Sequence, residues 1–380
     1  MEVTGSALAY AESEDGLNWK KPALNVLSFK GSKGNNLVSP FNNGGGVFLD
    51  EHGTAEERYK GFQFDKLPPD QLGKGNFGKY GLYGVTSPDG YHWKKSDKPL
   101  IRYFCDTQNI AAWDPVMQKY VGYYRHHLSG RTISRAETED FWNWPEPQPL
   151  LYAGPLDSPA DDYYTNCYTT YPGQPALRLL FPAIYHRAND SVDVRLGVSR
   201  DGRSYQWVSY APIIKLGGAK DSNAGSIYAQ PNLVKLPDGR LALPYDASNI
   251  THNEVWFENF YGSYPHTDHI SWALWKEDRL AGIVAEEQGQ FTTTSLSSFQ
   301  GKQLQINART SRSGSVEVEV RERGKPVPGF SFAESIPFSG DEIWADCRWK
   351  GKETLKELRG KSLQLCIRLR SAKIFACRWV

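Results

Sequence analysis

The sequence predicts an all-β chain: a five-bladed β-propeller whose first blade is incomplete, followed by a C-terminal β-sandwich. Three observations carry this reading. With 12 Trp, 21 Tyr and 17 Phe beside 35 Gly and 23 Pro in 380 residues, the chain has more aromatic surface and more turn formers than a helical bundle uses. Short runs alternate apolar and polar residues with the period of a strand, and only ETLKELRGK reads as a helical turn or two. One pattern also repeats four times, as ALAYAESEDGLNWKKP, GLYGVTSPDGYHWKKS, RTISRAETEDFWNWPE and RLGVSRDGRSYQW.

Each repeat is a short strand, a Ser or Thr, an acidic turn, and an aromatic four residues after the aspartate. The aspartates are Asp15, Asp89, Asp140 and Asp201, at intervals of 74, 51 and 61 residues, and their aromatics are Trp19, Trp93, Trp144 and Tyr205. Asp-Gly after a period-2 run signals a tight hairpin, because Gly takes the positive φ that other residues avoid. A second strand pair precedes each hairpin. NIAAWDP turns into KYVGYYRHH, YTNCYTTYP into LRLLFPAIYH, GSIYAQPNLVKLPDG into RLALPYDAS, and the stretch from Gly44 to Asp50 precedes ERYKGFQF. Short runs (KPLI, QPLLY, APIIKL) follow the hairpins, so the unit is four antiparallel strands, the size of a propeller blade.

Units are expected at about 40–100, 106–152, 162–217 and 224–288, the last keeping its strands in ISWALWKEDRLAGIVAE without the Ser-x-Asp-Gly turn. Residues 6–28 supply only an outer strand pair, which leads to the expectation of an N-terminus cut from a longer parent. From Phe291, LQINART, SVEVEVRE, EIWADCRW, SLQLCIRLR and AKIFACRWV alternate without the aromatic turn and read as a sandwich. The expected domains are therefore 1–290 and 291–380.

Charge agrees with two modules. The total of 44 Lys/Arg against 43 Asp/Glu hides +7 from Phe291 onward and −6 before it. This balance predicts no nucleic-acid partner, and no apolar run approaches the roughly 20 residues of a membrane span. The N-terminal MEVTGSALAYAE has no basic patch before an apolar stretch, so no signal peptide is expected. Five cysteines without C-x-x-C spacing indicate neither a disulfide framework nor a zinc knuckle. Gly73-x-Gly75-x-x-Gly78 matches a dinucleotide fingerprint by letters only, since no strand–helix context surrounds it.

Taken with the C-terminal sandwich, the Ser-x-Asp-Gly-x-x-Trp turns resemble the five-bladed propeller glycoside hydrolases related to families 32 and 43. More closely, the chain is similar to bacterial glycosyl hydrolase-like proteins. The stretches that carry this are YAESEDGLNWKKP, GSKGNNLV, EERYKGF, DTQNIAAWDP with KYVGYYR, DDYYTN, FTTTSL, GKPVPGFS and LRSAKIFACRW. The resemblance implies hydrolysis of a carbohydrate's glycosidic bond by carboxylates at the propeller axis, with no cofactor. The W-M-N-D-P-N and R-D-P signatures of family 32 are missing, and the strand expected to carry the first carboxylate would precede residue 1.

Glycosidases place two carboxyls across the bond, one kept protonated and one ionised. Candidates follow from blade phase: Asp106 opens CDTQN, Asp162 (preferred to Asp161 by the D-x-Y-x-N pattern of the relatives) opens YYTN, and Asp221 lies in AKDSNAGS before an inner strand. The alternative for each is an aspartate capping a turn. Asp114 in WDP and the four repeat aspartates read as turn residues. Arg125, His126 and His127 end a strand where they would meet a carboxylate or sulfate substituent or tune a catalytic acid, the alternative being a solvated strand end. Asn166 is a further substrate-binding candidate. Glu254, Trp256 and Glu258, with Phe257 and Tyr261, form an aromatic-rich insertion suited to covering the funnel, or a packed loop. His266-Thr-Asp-His269 has metal-ligand spacing without further support. Binding without hydrolysis and an interaction scaffold are the competing readings.

Overall fold

The computed structural model describes residue 3 and residues 7–39, 46–75, 78–128, 130–254 and 266–380. It is all-β, and the helical elements among the described residues include the 3-10 turns Ala55–Glu57, Pro69–Gln71 and Lys356–Leu358. The chain divides into two compact units, Met1–Leu233 with Leu243–Ala273, and Val234–Ala242 with Leu274–Val380.

In the first unit, the strands Val47–Leu49, Tyr59–Lys66, Tyr80–Ser87 and Lys94–Lys95 form a four-stranded antiparallel sheet in sequence order. A second such sheet comprises Ile110–Asp114, Lys119–Leu128, Gly130–Thr138 and Gln148–Leu151. Strand alternation makes this second sheet apolar on both faces. Tyr120 and Tyr124 pack with Phe62, Phe64, Leu82, Phe141 and Trp144 of the preceding unit and hairpin, while Val121 and Tyr123 pack with Tyr163, Tyr168, Leu180 and Ile184 of the following one. The next strands, Asp161–Tyr163, Ala183–His186, Ser191–Ser199 and Gln206–Ile214, are again antiparallel. A single parallel bridge, Val192 to Ser226, joins them to Ser226–Ala229 and its antiparallel partner Leu241–Ser248.

Residues 6–28 contribute Leu8–Ala9, which pairs with Leu37–Ser39, and a Glu12–Lys20 bridge. Trp272 Nε1 donates to the Gly16 carbonyl at 2.7 Å, bringing this N-terminal hairpin against the last strand of the same unit.

The repeated turns share one construction. Asp15 Oδ1 accepts the Leu17 and Asn18 amides at 2.8 Å, Asp89 those of Tyr91 and His92 at 2.8 Å, and Asp201 those of Arg203 and Ser204 at 2.8 and 2.7 Å. The preceding serine accepts the glycine amide in each, at 2.8–2.9 Å, and Gly16, Gly90 and Gly202 have φ of 75°, 80° and 71°. The indoles of Trp19, Trp93 and Trp144 donate to the carbonyl three residues back, at 3.2, 2.8 and 2.6 Å.

In the second unit, Leu363–Trp379 lies between Ile283–Thr292 and Leu304–Glu322, which in turn pairs with Lys325–Pro326 and Asp341–Asp346. Leu304, Ile306, Val316, Val318 and Val320 point into a core with Phe330, Trp349, Leu365 and Ile367. The expected fourth unit, 224–288, therefore loses its final strand: Ile283–Thr292 pairs with Leu363–Trp379. Without a Ser-x-Asp-Gly turn nothing local folds that run back onto its own hairpin. A boundary at 290/291 falls inside this strand.

Candidate functional site

Several strand starts of the first unit converge on Gln108. Its Nε2 donates to the Ala229 carbonyl and to Gln230 Oε1, both at 3.2 Å, and its Oε1 accepts the Cys167 amide at 2.8 Å. Asn166 Nδ2 donates to the Gln108 carbonyl at 2.5 Å, and the Gly46 amide to the Asn109 carbonyl at 3.1 Å. Buried amides thus join segments that lie far apart in sequence, each donor finding a partner as burial requires.

Beside this junction lies a cavity of about 820 Å³. Thr107, Gln108, Tyr164, Tyr228, Asp246 and His252 contribute to its wall. Asp246 stands on the Leu241–Ser248 strand and accepts Gln230 Nε2 at 2.6 Å. Burial pushes its carboxyl pKa up, Asp268 across the cavity wall adds to the rise, and the Gln230 bond only partly offsets it. Tyr164, Tyr185, Tyr228 and His252 form an aromatic cluster with centroids 4.6–6.1 Å apart, and Tyr228 Oη is hydrogen-bonded to His252 Nδ1 at 2.5 Å. The Arg125 guanidinium lies 3.9 Å from the Tyr164 ring centroid, and that of Arg131 lies 4.9 Å from Tyr164 and 5.4 Å from Tyr185.

Of the residues singled out from the sequence, Asp106 and Arg125 meet in an ion pair, and Arg125 Nε also donates to the Tyr164 carbonyl at 2.9 Å. Asp106 is partly exposed, has φ of 47°, and directly precedes the cavity residues Thr107 and Gln108. Asp162 is 2% exposed and held between Arg131 at 2.9 Å and Arg187 at 3.5 Å. Neighbouring Asp161 pairs with His186 at 2.8 Å. Asp221 is exposed and accepts the Gly218 amide of its own loop at 2.7 Å, the capped-turn arrangement. Asn166 is buried, its oxygen accepting the Tyr168 amide at 3.1 Å, so its side chain binds backbone. Glu254 accepts the Thr251 amide at 2.8 Å. Trp256, Phe257, Glu258 and Tyr261 lie outside the described residues.

His126 stacks on Tyr103 at 4.4 Å. Burial lowers its pKa, and burial followed by Arg125 and Arg131 pushes that of His127 down to about 4. Both imidazoles are thus uncharged at neutral pH, so the cations of this strand end are arginines. Among the described residues no group of three or more His, Cys, Asp or Glu is arranged to hold a metal ion, and His266 Nε2 lies 3.8 Å from Asp268.

Sequence reasoning passed over Asp246, Arg131, Tyr164, Tyr228 and His252. Asp246 did leave a signal: it is the acidic residue in the otherwise uncharged run RLALPYDAS once its opening arginine is passed.

No family model and no curated protein matches the chain. Among solved structures it is similar to an N-acetylgalactosamine deacetylase from F. plautii in complex with blood group B trisaccharide, at 14% identity over 71% of this chain and 81% of that one, with a TM-score of 0.45. It is also similar to a glycoside hydrolase (14%, 70% and 76%, 0.46) and to a GH32 beta-fructofuranosidase of Bombyx mori (10%, 98% and 84%, 0.42).

Proposed function

We propose that the protein is a glycoside hydrolase, with Asp246 as general acid and Asp106 as the ionised carboxylate. The observation that carries this reading is the Asp246 carboxyl, its pKa raised by burial in the wall of a sugar-sized cavity lined by Tyr164, Tyr228 and His252. Asp106, paired with Arg125 and adjoining the same wall, supplies the contrasting charged group. Two carboxyls in environments that separate their roles are what glycosidic cleavage requires: one protonates the leaving oxygen, while the other stabilises the oxocarbenium-like transition state or activates water. The aromatic faces suit the apolar sides of sugar rings. Asp162 then acts as a positioning residue for Arg131, and Asp221 as the cap of its loop.

The frame we propose is the five-bladed propeller with a C-terminal sandwich. Stacked four-stranded sheets, strand starts meeting at Gln108 and the Trp272–Gly16 contact support it.

Carbohydrate binding without cleavage is a second reading, favoured by the structural partners that engage Asp162 and Asp221. The test is a panel of aryl glycosides and polysaccharides with product detection, comparing the parent with Asp246→Asn and Asp106→Asn. Release of reducing sugar that either variant abolishes supports hydrolysis. Glycan binding with no product from any substrate supports the second reading.

A further inference from the structure

His252 of the cavity wall and Arg131 beside it hold cationic and hydrogen-bonding capacity that cleavage of a neutral glycoside does not use. Arg131 and His252 are neighbours, because each packs on both Tyr164 and Tyr185: the guanidinium at 4.9 and 5.4 Å, the imidazole at 4.6 and 5.0 Å. Arg131 is partly exposed and bonds Asp162 through Nη1, leaving Nε and Nη2 without hydrogen bonds among the described residues. Below the same Tyr164 ring, Arg125 is 2% exposed and its Nη2 is an unpartnered buried donor. The carboxylates nearby are already engaged. Asp106 pairs with Arg125, Asp162 with Arg131 and Arg187, and Asp190 accepts Tyr185 Oη at 2.8 Å and the Asn253 amide at 2.7 Å. These three carboxylates are thus matched within the protein, and the donors left over are Arg131 Nε and Nη2 and Arg125 Nη2.

Building on the glycosidase reading of this cavity, we propose that its substrate carries a carboxylate, as a uronic acid does, and that Arg131 and His252 hold that group. The planar guanidinium offers two parallel N–H donors matched to the two oxygens of a carboxylate. His252 adds a third. Burial and then Arg131 lower its pKa, so the ring is uncharged, while burial keeps the Tyr228 phenol protonated. Tyr228 then donates to Nδ1, which assigns the ring proton to Nε2 as a donor for the ligand. A hydroxymethyl group in place of the carboxylate would leave these donors unmatched, which is the physical source of the discrimination.

Calorimetric titration of the intact protein with D-glucuronate and D-galacturonate, against D-glucose, D-galactose and inorganic phosphate, tests this directly. The uronates are expected to bind at least about tenfold more tightly than the neutral sugars, and Arg131→Gln to weaken uronate binding by roughly 10- to 100-fold, the range for a lost hydrogen bond to a charged group. The readout is the ratio of uronate to neutral-sugar affinity, which should fall in that variant. Because Arg131→Gln removes a partner of buried Asp162, Arg131→Gln/Asp162→Asn is measured beside it and should lose the same uronate preference. Arg131→Lys should restore part of it. Equal binding of uronates and neutral sugars, phosphate binding as tight as the uronates, or parental uronate affinity in both Arg131→Gln variants overturns the proposal. Cleavage of neutral glycosides without uronate preference leaves the hydrolase reading standing and removes this one. Arg131-dependent uronate binding with no glycoside cleaved does the reverse.

Discussion

Asp114 and Arg178 form a buried ion pair whose removal has a calculable cost. Arg178 Nε donates to Asp114 Oδ2 at 2.5 Å and Nη2 to Oδ1 at 2.8 Å, with side-chain exposures of 1% and 0%. Asp114 Oδ1 also accepts the amides of Val116 and Met117 at 3.0 and 2.9 Å. Burial alone would raise the carboxyl pKa, but the Arg178 bonds overcome it and the net shift is downward. Asp114→Asn keeps the shape while leaving the guanidinium without its counter-charge. Breaking one side of a buried pair costs about 3–5 kcal/mol, because the surviving charge stays desolvated. For a unit of this size each kcal/mol moves the midpoint by about 2–4 °C, so thermal unfolding of Asp114→Asn, followed by near-UV circular dichroism, should shift down by about 6–20 °C. Asp114→Leu/Arg178→Met removes both charges and should recover most of that loss, since an apolar pair of similar volume is often close to neutral. A single variant within about 1 kcal/mol of the parent, or a double variant no more stable than the single, would refute the reasoning.

Two further outcomes are expected. Trp144 and Trp19 occupy the same place in the repeat but are 7% and 53% exposed, so Trp144→Ala should cost about 3–5 kcal/mol and Trp19→Ala less than about 1 kcal/mol in urea unfolding; equal losses would contradict the packing described. His127 has a native pKa of about 4 against 6.5 ordinarily, so the unfolded chain takes up its proton first and stability drops as pH falls from 7 toward 4. That drop should be smaller in His127→Gln, and an identical pH dependence of the urea midpoint in both proteins would exclude this contribution.

What was legible in the sequence was local. The turn motif could be read because Asp15, Asp89 and Asp201 bond amides only two and three residues ahead, and their companion serines bond the next glycine. Strand periodicity was equally direct, and Tyr120 and Tyr124 facing one core with Val121 and Tyr123 facing the other is the alternation itself. The fate of Ile283–Thr292 was not legible, since its partner lies some 80 residues downstream in Leu363–Trp379. The site was harder for the same reason. Blade phase singled out Asp106, Asp162 and Asp221 alike, yet phase says nothing of what a side chain meets: Asp106 adjoins the cavity, Asp162 lands between two arginines, and Asp221 folds onto its own loop. Tyr164, Tyr228, Asp246 and His252 come together only through tertiary packing, and of them only Tyr164 belongs to a spaced motif, the D-x-Y-x-N of Asp162 and Asn166.

The central claim is that Asp246 is the protonated acid of a glycosidase, and the pH–rate profile of glycoside cleavage in the parent and in Asp246→Asn tests it most directly. A general acid works only while protonated, so a carboxyl with a raised pKa sustains cleavage to higher pH than an ordinary aspartate would, and the rate falls as pH rises through that value. Replacing it should lower the rate by about 10²–10⁴-fold and abolish the alkaline limb while the melting profile stays that of the parent. Cleavage by Asp246→Asn at the parental rate, with the alkaline limb intact, would contradict the account.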